Sequence, residues 1–69
     1  MTFIMLIAAL YVKGWHPKMK VYDRWHETKE LTQDILERVL PHIMDRPVLY
    51  VSFDGRPGEP WFSCYVELG

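Results

Sequence analysis

The chain opens on an unbroken apolar run, Phe3 to Val12, that stops at Lys13. A short run of this kind has no period of its own, so helix and strand compete for it. Met5, Leu6, Ala8, Ala9 and Leu10 favour helix, whereas Phe3, Ile4, Ile7, Tyr11 and Val12 favour strand. The residues that follow tip the reading. Gly14-Trp15-His16-Pro17 forms a turn cluster, and a period-two stretch comes after it. Met19, Val21, Asp23 and Trp25 fall on one side of that stretch, and Lys18, Lys20, Tyr22 and Arg24 on the other. The pattern predicts a β-hairpin, with one strand over about 2–13 and a second over about 18–26.

From Thr28 to Leu40 the period changes to that of a helix, with Leu31, Ile35 and Val39, and Leu36 and Leu40, recurring at helical spacing. Thr28 is placed to cap the start, and Glu27 and Glu30 suit the positive end of the helix dipole. Leu36 and Ile35 are candidate core residues. Pro41 removes a hydrogen-bond donor, so the regular helix is expected to end or kink near Leu40, with one further turn from Pro41 to Met44. Val48 to Phe53 reads as a third strand and Trp61 to Leu68 as a fourth. The Pro- and Gly-rich segment Asp54–Pro60 makes a long hairpin loop between them. On the fourth strand Phe62, Cys64, Val66 and Leu68 share one side, and Trp61, Ser63, Tyr65 and Glu67 the other. The predicted fold is α+β in the order β-β-α-β-β, one small domain over 1–69: a four-stranded, mainly antiparallel sheet with one helix packed on one face.

That order leaves an excess of apolar surface. One helix covers one face of a sheet, yet the first strand is apolar on both sides. Large exposed apolar patches usually mark interfaces. A domain of 69 residues also has a thin core, which association can compensate. A homodimer or a face for a larger protein partner is therefore expected.

Composition narrows the function classes. With 49% hydrophobic and 25% charged residues the chain is not of the disordered kind. Its single cysteine excludes a disulfide framework and a cysteine-built zinc site, and suits a reducing, cytoplasmic compartment. The apolar run at 3–12 is too short to span a bilayer, which takes about 20 residues, so no membrane role is expected. No basic residue precedes it and no clear cleavage site follows before Lys13, so it does not read as a signal peptide. The formal net charge is −1, but it is unevenly spread. Lys13, Lys18, Lys20 and Arg24 face only Asp23 within their segment, while the rest of the chain is acidic.

Candidate chemistry is sparse. His16, His26 and His42 lie in unrelated segments, and Asp23-x-x-His26 is no established ligand motif, so no metal and no cofactor are expected. Cys64 lies among apolar neighbours, with no base or helix start to lower its pKa, and reads as an inert core thiol. Ser52 and Ser63 lack the glycines of a nucleophile elbow. Asp54-Gly55-Arg56-Pro57-Gly58 lacks the spacing and the Lys-Ser/Thr of a phosphate loop. No catalytic residue is assigned and the chain is not expected to be an enzyme.

The most suggestive local pattern interleaves aromatic and basic residues: Trp15, Lys18, Lys20, Tyr22, Arg24 and Trp25. Together with Arg56 and Trp61 these are the expected partner-binding residues. Stacking rings beside cations suit single-stranded nucleic acid, but Trp, Tyr and Arg are also the side chains that anchor protein interfaces. The near-neutral charge favours a protein partner, with nucleic-acid binding through residues 13–25 as the alternative. In length, in predicted element order and in its lack of catalytic residues, the chain resembles the small inhibitors that phages and mobile elements encode, anti-CRISPR proteins among them. No motif matches a particular family, so no residue role is carried over.

Overall fold

The computed structural model describes residues 1–23 and 26–69, with all side chains but those of 23, 26–31 and 33. Two helices, α1 (Phe3–Val12) and α2 (Gln33–Ile43), accompany four strands: β1 (Lys18–Asp23), β2 (His26–Leu31), β3 (Val48–Asp54) and β4 (Ser63–Leu68). The fold is α+β, as expected, but its order is α-β-β-α-β-β. The strands lie in the order β2-β1-β4-β3. The two inner strands, β1 and β4, run parallel, and each pairs antiparallel with its outer neighbour. The sheet is thus mixed rather than simply antiparallel.

The first expected strand is a helix, and its end shows why. Gly14 has φ +74°. Its N–H donates to the Tyr11 carbonyl at 2.9 Å, and the Trp15 N–H reaches back to the Leu10 carbonyl at 3.0 Å. This pair of bonds is the Schellman closure of an α-helix, with glycine at the left-handed position. Gly14 therefore stops a helix; it does not turn a hairpin. The other end is held by the segment after α2. The Phe3 and Ile4 N–H groups donate to the carbonyls of Arg46 and Met44 at 3.0 and 3.1 Å. Two otherwise orphaned helix donors are satisfied without a side-chain cap.

The second boundary also shifts. The segment expected to begin the helix, 28–31, is strand β2, and α2 is capped by Thr32 instead. The Thr32 hydroxyl accepts from the Ile35 N–H at 3.4 Å, the usual N-cap contact. α2 runs through Pro41 to Ile43, in line with the extra turn read from the sequence. Leu36, Val39, Leu40 and Ile43 meet the core, whereas Ile35 is 41% exposed and is no core residue.

Both helices contribute to one core. Phe3, Leu6, Ile7 and Leu10 of α1 and Leu36 of α2 pack with Met19, Cys64, Val66 and Leu68 of the central strands. The register explains the set: Met19 lies beside Cys64 and Val21 beside Val66, with Val51 and Phe53 of β3 completing the rows. The expected inward row of the last strand, Phe62, Cys64, Val66 and Leu68, is buried throughout. The helices pack on one face of the sheet, and its other face carries polar and aromatic side chains. The expected sheet surface, apolar on both sides, is therefore not formed. α1 itself keeps an apolar outer side: Met5 is 56% and Val12 88% exposed.

Among the described residues, no helix is long and apolar enough to cross a membrane.

Candidate functional site

The uncovered sheet face is built by alternation along the strands. On β1, Lys18, Lys20 and Tyr22 alternate with the core residues Met19 and Val21, because successive strand residues point to opposite faces. The parallel register sets them beside Ser63, Tyr65 and Glu67 of β4. The antiparallel register then sets Asp54, Ser52 and Tyr50 of β3 beyond those. Three rows result: Lys18–Ser63–Asp54, Lys20–Tyr65–Ser52 and Tyr22–Glu67–Tyr50.

The middle row is the most organised. The Lys20 Nζ lies 3.4 Å from the Tyr65 hydroxyl, to which it donates. The same nitrogen sits 5.1 Å from the centre of the Tyr65 ring, a cation–π distance. Both side chains are half-buried, so each restrains the other. In the outer row Tyr22 and Tyr50 are 38% and 61% exposed. The described cations of this face, Lys18 and Lys20, are matched by the carboxylates Asp54 and Glu67.

Of the residues singled out from the sequence, Lys18, Lys20 and Tyr22 come together here. Arg24 and Trp25 lie outside the described residues. Trp15 goes elsewhere: it packs edge-on against Phe53 and Phe62 at ring distances of 6.0 and 5.9 Å. Those two rings stack on each other at 5.8 Å. The Lys13 ammonium lies 4.7 Å from the Trp15 ring centre. Trp15 thus closes one end of the core, and Lys13 belongs to the helix end rather than to a basic hairpin. Arg56 and Trp61 are exposed on the β3–β4 connection, which borders the Lys18–Ser63–Asp54 end of the rows. There the Arg56 N–H donates to Glu59 Oε1 at 2.7 Å, and the Ser63 hydroxyl donates to the Trp61 carbonyl at 2.9 Å.

Tyr50, Ser52 and Tyr65 are not among the partner-binding residues expected from the sequence. Their signal was the alternation of the last two strands, which became meaningful only once β4 was placed beside β1.

The other candidate chemistry is dispersed. His16 is exposed and rests against Tyr11, ring centres 5.3 Å apart. His42 is exposed on α2, and the side chain of His26 lies outside the described set. Among the described residues no group of His, Cys, Asp and Glu side chains is gathered for a metal ion. A cleft of about 260 Å³ opens between the end of α1, the start of β1 and the start of α2, lined in part by Ile7, Leu10, Trp15, Met19 and Leu36. Ligand pockets commonly run from about 300 Å³ upward, so this one lies just below that range.

Cys64 is fully buried. Desolvation pushes its thiol from 9.0 up to about 11, because burial penalises the thiolate. A folded-state value above the unfolded one means that the unfolded chain loses its proton first as pH rises. The contribution is intact below pH 9 and is lost progressively between pH 9 and about 11. Thermal melts across this window are expected to fall more steeply for the wild type than for Cys64→Ala. Parallel slopes would show that the thiol does not carry the effect.

No protein-family model matches the chain, no curated protein matches its sequence, and no solved structure matches its fold.

Proposed function

We propose that this chain is a non-enzymatic protein-binding module that acts by covering a surface of a larger protein, as an inhibitor or modulator. The observation that carries the reading is the uncovered sheet face. Tyr22, Tyr50 and Tyr65 lie there among Ser52, Lys18 and Lys20, on a rigid sheet backed by the core. Tyrosine supplies large amphipathic contact area at low conformational cost, and serine supplies adaptable hydrogen bonds, which is the composition of binding surfaces selected for protein targets. Lys20 and Tyr65 restrain each other before any partner arrives, which lowers the ordering cost of association.

Electrostatics favour this reading over nucleic-acid binding. Phosphate recognition draws on clustered, unopposed cations and weakens steeply with salt. Among the described residues of the face, Asp54 and Glu67 accompany Lys18 and Lys20, so the described cations there are not unopposed.

The test is capture by the tagged protein, comparing the wild type with Tyr50→Ala, Tyr22→Ala and Lys20→Glu. Tyr50 and Tyr22 are exposed, so their replacement should leave the melting temperature unchanged. Retention of a protein partner should fall about 10-fold or more for at least one tyrosine variant, as for an interface anchor. Equal capture by all variants would place the binding surface elsewhere. Capture that disappears with nuclease treatment or moderate salt would favour the nucleic-acid alternative.

A further inference from the structure

We propose that the outer edge of β3 pairs with the β3 edge of a second copy, antiparallel about a two-fold axis at Ser52, so that two sheets join into one.

The two edges of the sheet differ in kind. β2, at one edge, has the sequence His-Glu-Thr-Lys-Glu-Leu, whose charges are the usual protection against strand addition. β3, at the other, reads Val-Leu-Tyr-Val-Ser-Phe-Asp and carries no charge before its last residue. Leu49, Tyr50 and Phe53 are 56, 61 and 44% exposed along it. An edge that is long, apolar and uncharged is a template for another strand.

The chain already uses this edge once. The Val48 N–H donates to the Met1 carbonyl at 2.8 Å, and Thr2 pairs antiparallel with Pro47. On the opposite side of the same segment, the Gly69 N–H donates to the Pro47 carbonyl at 2.9 Å. The side taken by Met1 and Thr2 is therefore the outer one. Their coverage ends near Val48, and β3 continues past it to Asp54.

The alternation of the ladder says which backbone groups remain. Counting along β4 from Gly69, residues Glu67, Tyr65 and Ser63 turn their N–H and C=O toward β3. Their partners Tyr50, Ser52 and Asp54 therefore bond inward, and Val51 and Phe53 turn theirs outward.

That pattern is self-complementary. With an antiparallel two-fold axis at Ser52, Val51 stands opposite Phe53 of the second copy and Phe53 opposite its Val51. Both are reciprocal hydrogen-bonded pairs, and every outward group from Tyr50 to Asp54 finds a partner. Asp54 meets Tyr50 rather than another acid, so no like charges oppose each other. A two-fold axis at Val51 would set Phe53 against the irregular step between Val48 and Tyr50, and one at Phe53 would set Val51 against the Gly55 turn. The paired window is bounded by Met1 and Thr2 at one end and by Gly55 at the other, identically in both copies. Because that window is short, the dimer is reversible and concentration-dependent rather than obligate.

Sedimentation or light scattering across a concentration series should show the mass rising from 8.3 kDa toward twice that value. Ser52→Lys sets two ammonium groups against each other on the axis and should hold the protein monomeric with its melting temperature preserved. Ser52→Cys places two thiols at a non-hydrogen-bonded pair, within reach of a disulfide. Under mild oxidation it should yield a cross-linked dimer, while Cys64, being buried, yields none. A wild type that stays monomeric at the highest concentration overturns the proposal, as does a Ser52→Cys protein that does not cross-link. A dimer broken by Met5→Lys or Val12→Lys but untouched by Ser52→Lys also overturns it, and assigns association to the outer side of α1.

Discussion

Phe3→Ala is expected to destabilise the protein by about 3–5 kcal/mol, the usual range for removing a buried phenylalanine. A chain of this length has in total only roughly 3–10 kcal/mol of stability, so much of the variant should be unfolded at physiological temperature. Phe3 is fully buried, at 0% exposure, in the first turn of α1. It sits where that helix meets the Arg46 and Met44 carbonyls. Losing the ring removes core contacts and also loosens the junction that satisfies the helix start. The measurement is urea or thermal unfolding followed by circular dichroism. Ile35→Ala is the matched control: at 41% exposure its truncation should cost about 1 kcal/mol or less. If the two variants melt alike, α1 is not docked by Phe3, and the core is not the one described.

The same helix shows what was legible in the sequence and what was not. The alternation of Lys18 to Asp23 and of Phe62 to Leu68 identified the inward and outward rows of two strands, because a half-buried strand must alternate. Phe3–Val12 has no alternation of either period, since its outer side is as apolar as its buried one. Met5, Ala8, Ala9 and Val12 look inward by composition and face outward in the fold. The deciding signal was present: Gly14 followed by Pro17, the pairing that ends helices. Read as a hairpin turn, it also displaced the apolar excess from α1 to the sheet. The excess exists, but it lies along the outside of a helix, and the uncovered sheet face is polar and aromatic.

The boundary of α2 failed for a related reason. Thr28 and Thr32 stand one helical turn apart, and either can cap a helix whose apolar positions recur every three or four residues. Residues 28–31 pair with β1 in the sheet, and tertiary pairing overrides the local pattern. The candidate face was half visible. Lys18, Lys20 and Tyr22 were read from one strand, whereas Tyr50, Ser52 and Tyr65 joined them through the parallel pairing of β1 with β4, a long-range contact no local pattern encodes.

Gly55→Ala is the second substitution expected to act strongly, and it links stability to the exposed end of the molecule. Gly55 has φ +78°, where a side chain costs about 1–2 kcal/mol. A Cβ there would also lie 2.7 Å from Trp61 Cδ1 and 3.3 Å from the Phe62 Cα. Gly58 supplies an internal control, since it has φ +96° and open space around an added Cβ. Gly58→Ala should therefore show the backbone cost alone, and Gly55→Ala that cost plus the displacement of Trp61. Trp61 is 59% exposed, so its ring can swing away, but the backbone of Phe62 cannot, and Phe62 anchors the stack with Phe53 and Trp15. Gly55→Ala is expected to lower the melting temperature more than Gly58→Ala and to change the tryptophan fluorescence, which Gly58→Ala should leave alone. Adding Trp61→Ala to Gly55→Ala should recover the part due to the indole and leave the rest. If the double variant recovers nothing, the contact with Trp61 is not what makes glycine necessary there. If Gly55→Ala also weakens partner capture where Gly58→Ala does not, Trp61 belongs to the binding surface, held in place by the one residue small enough to lie beneath it.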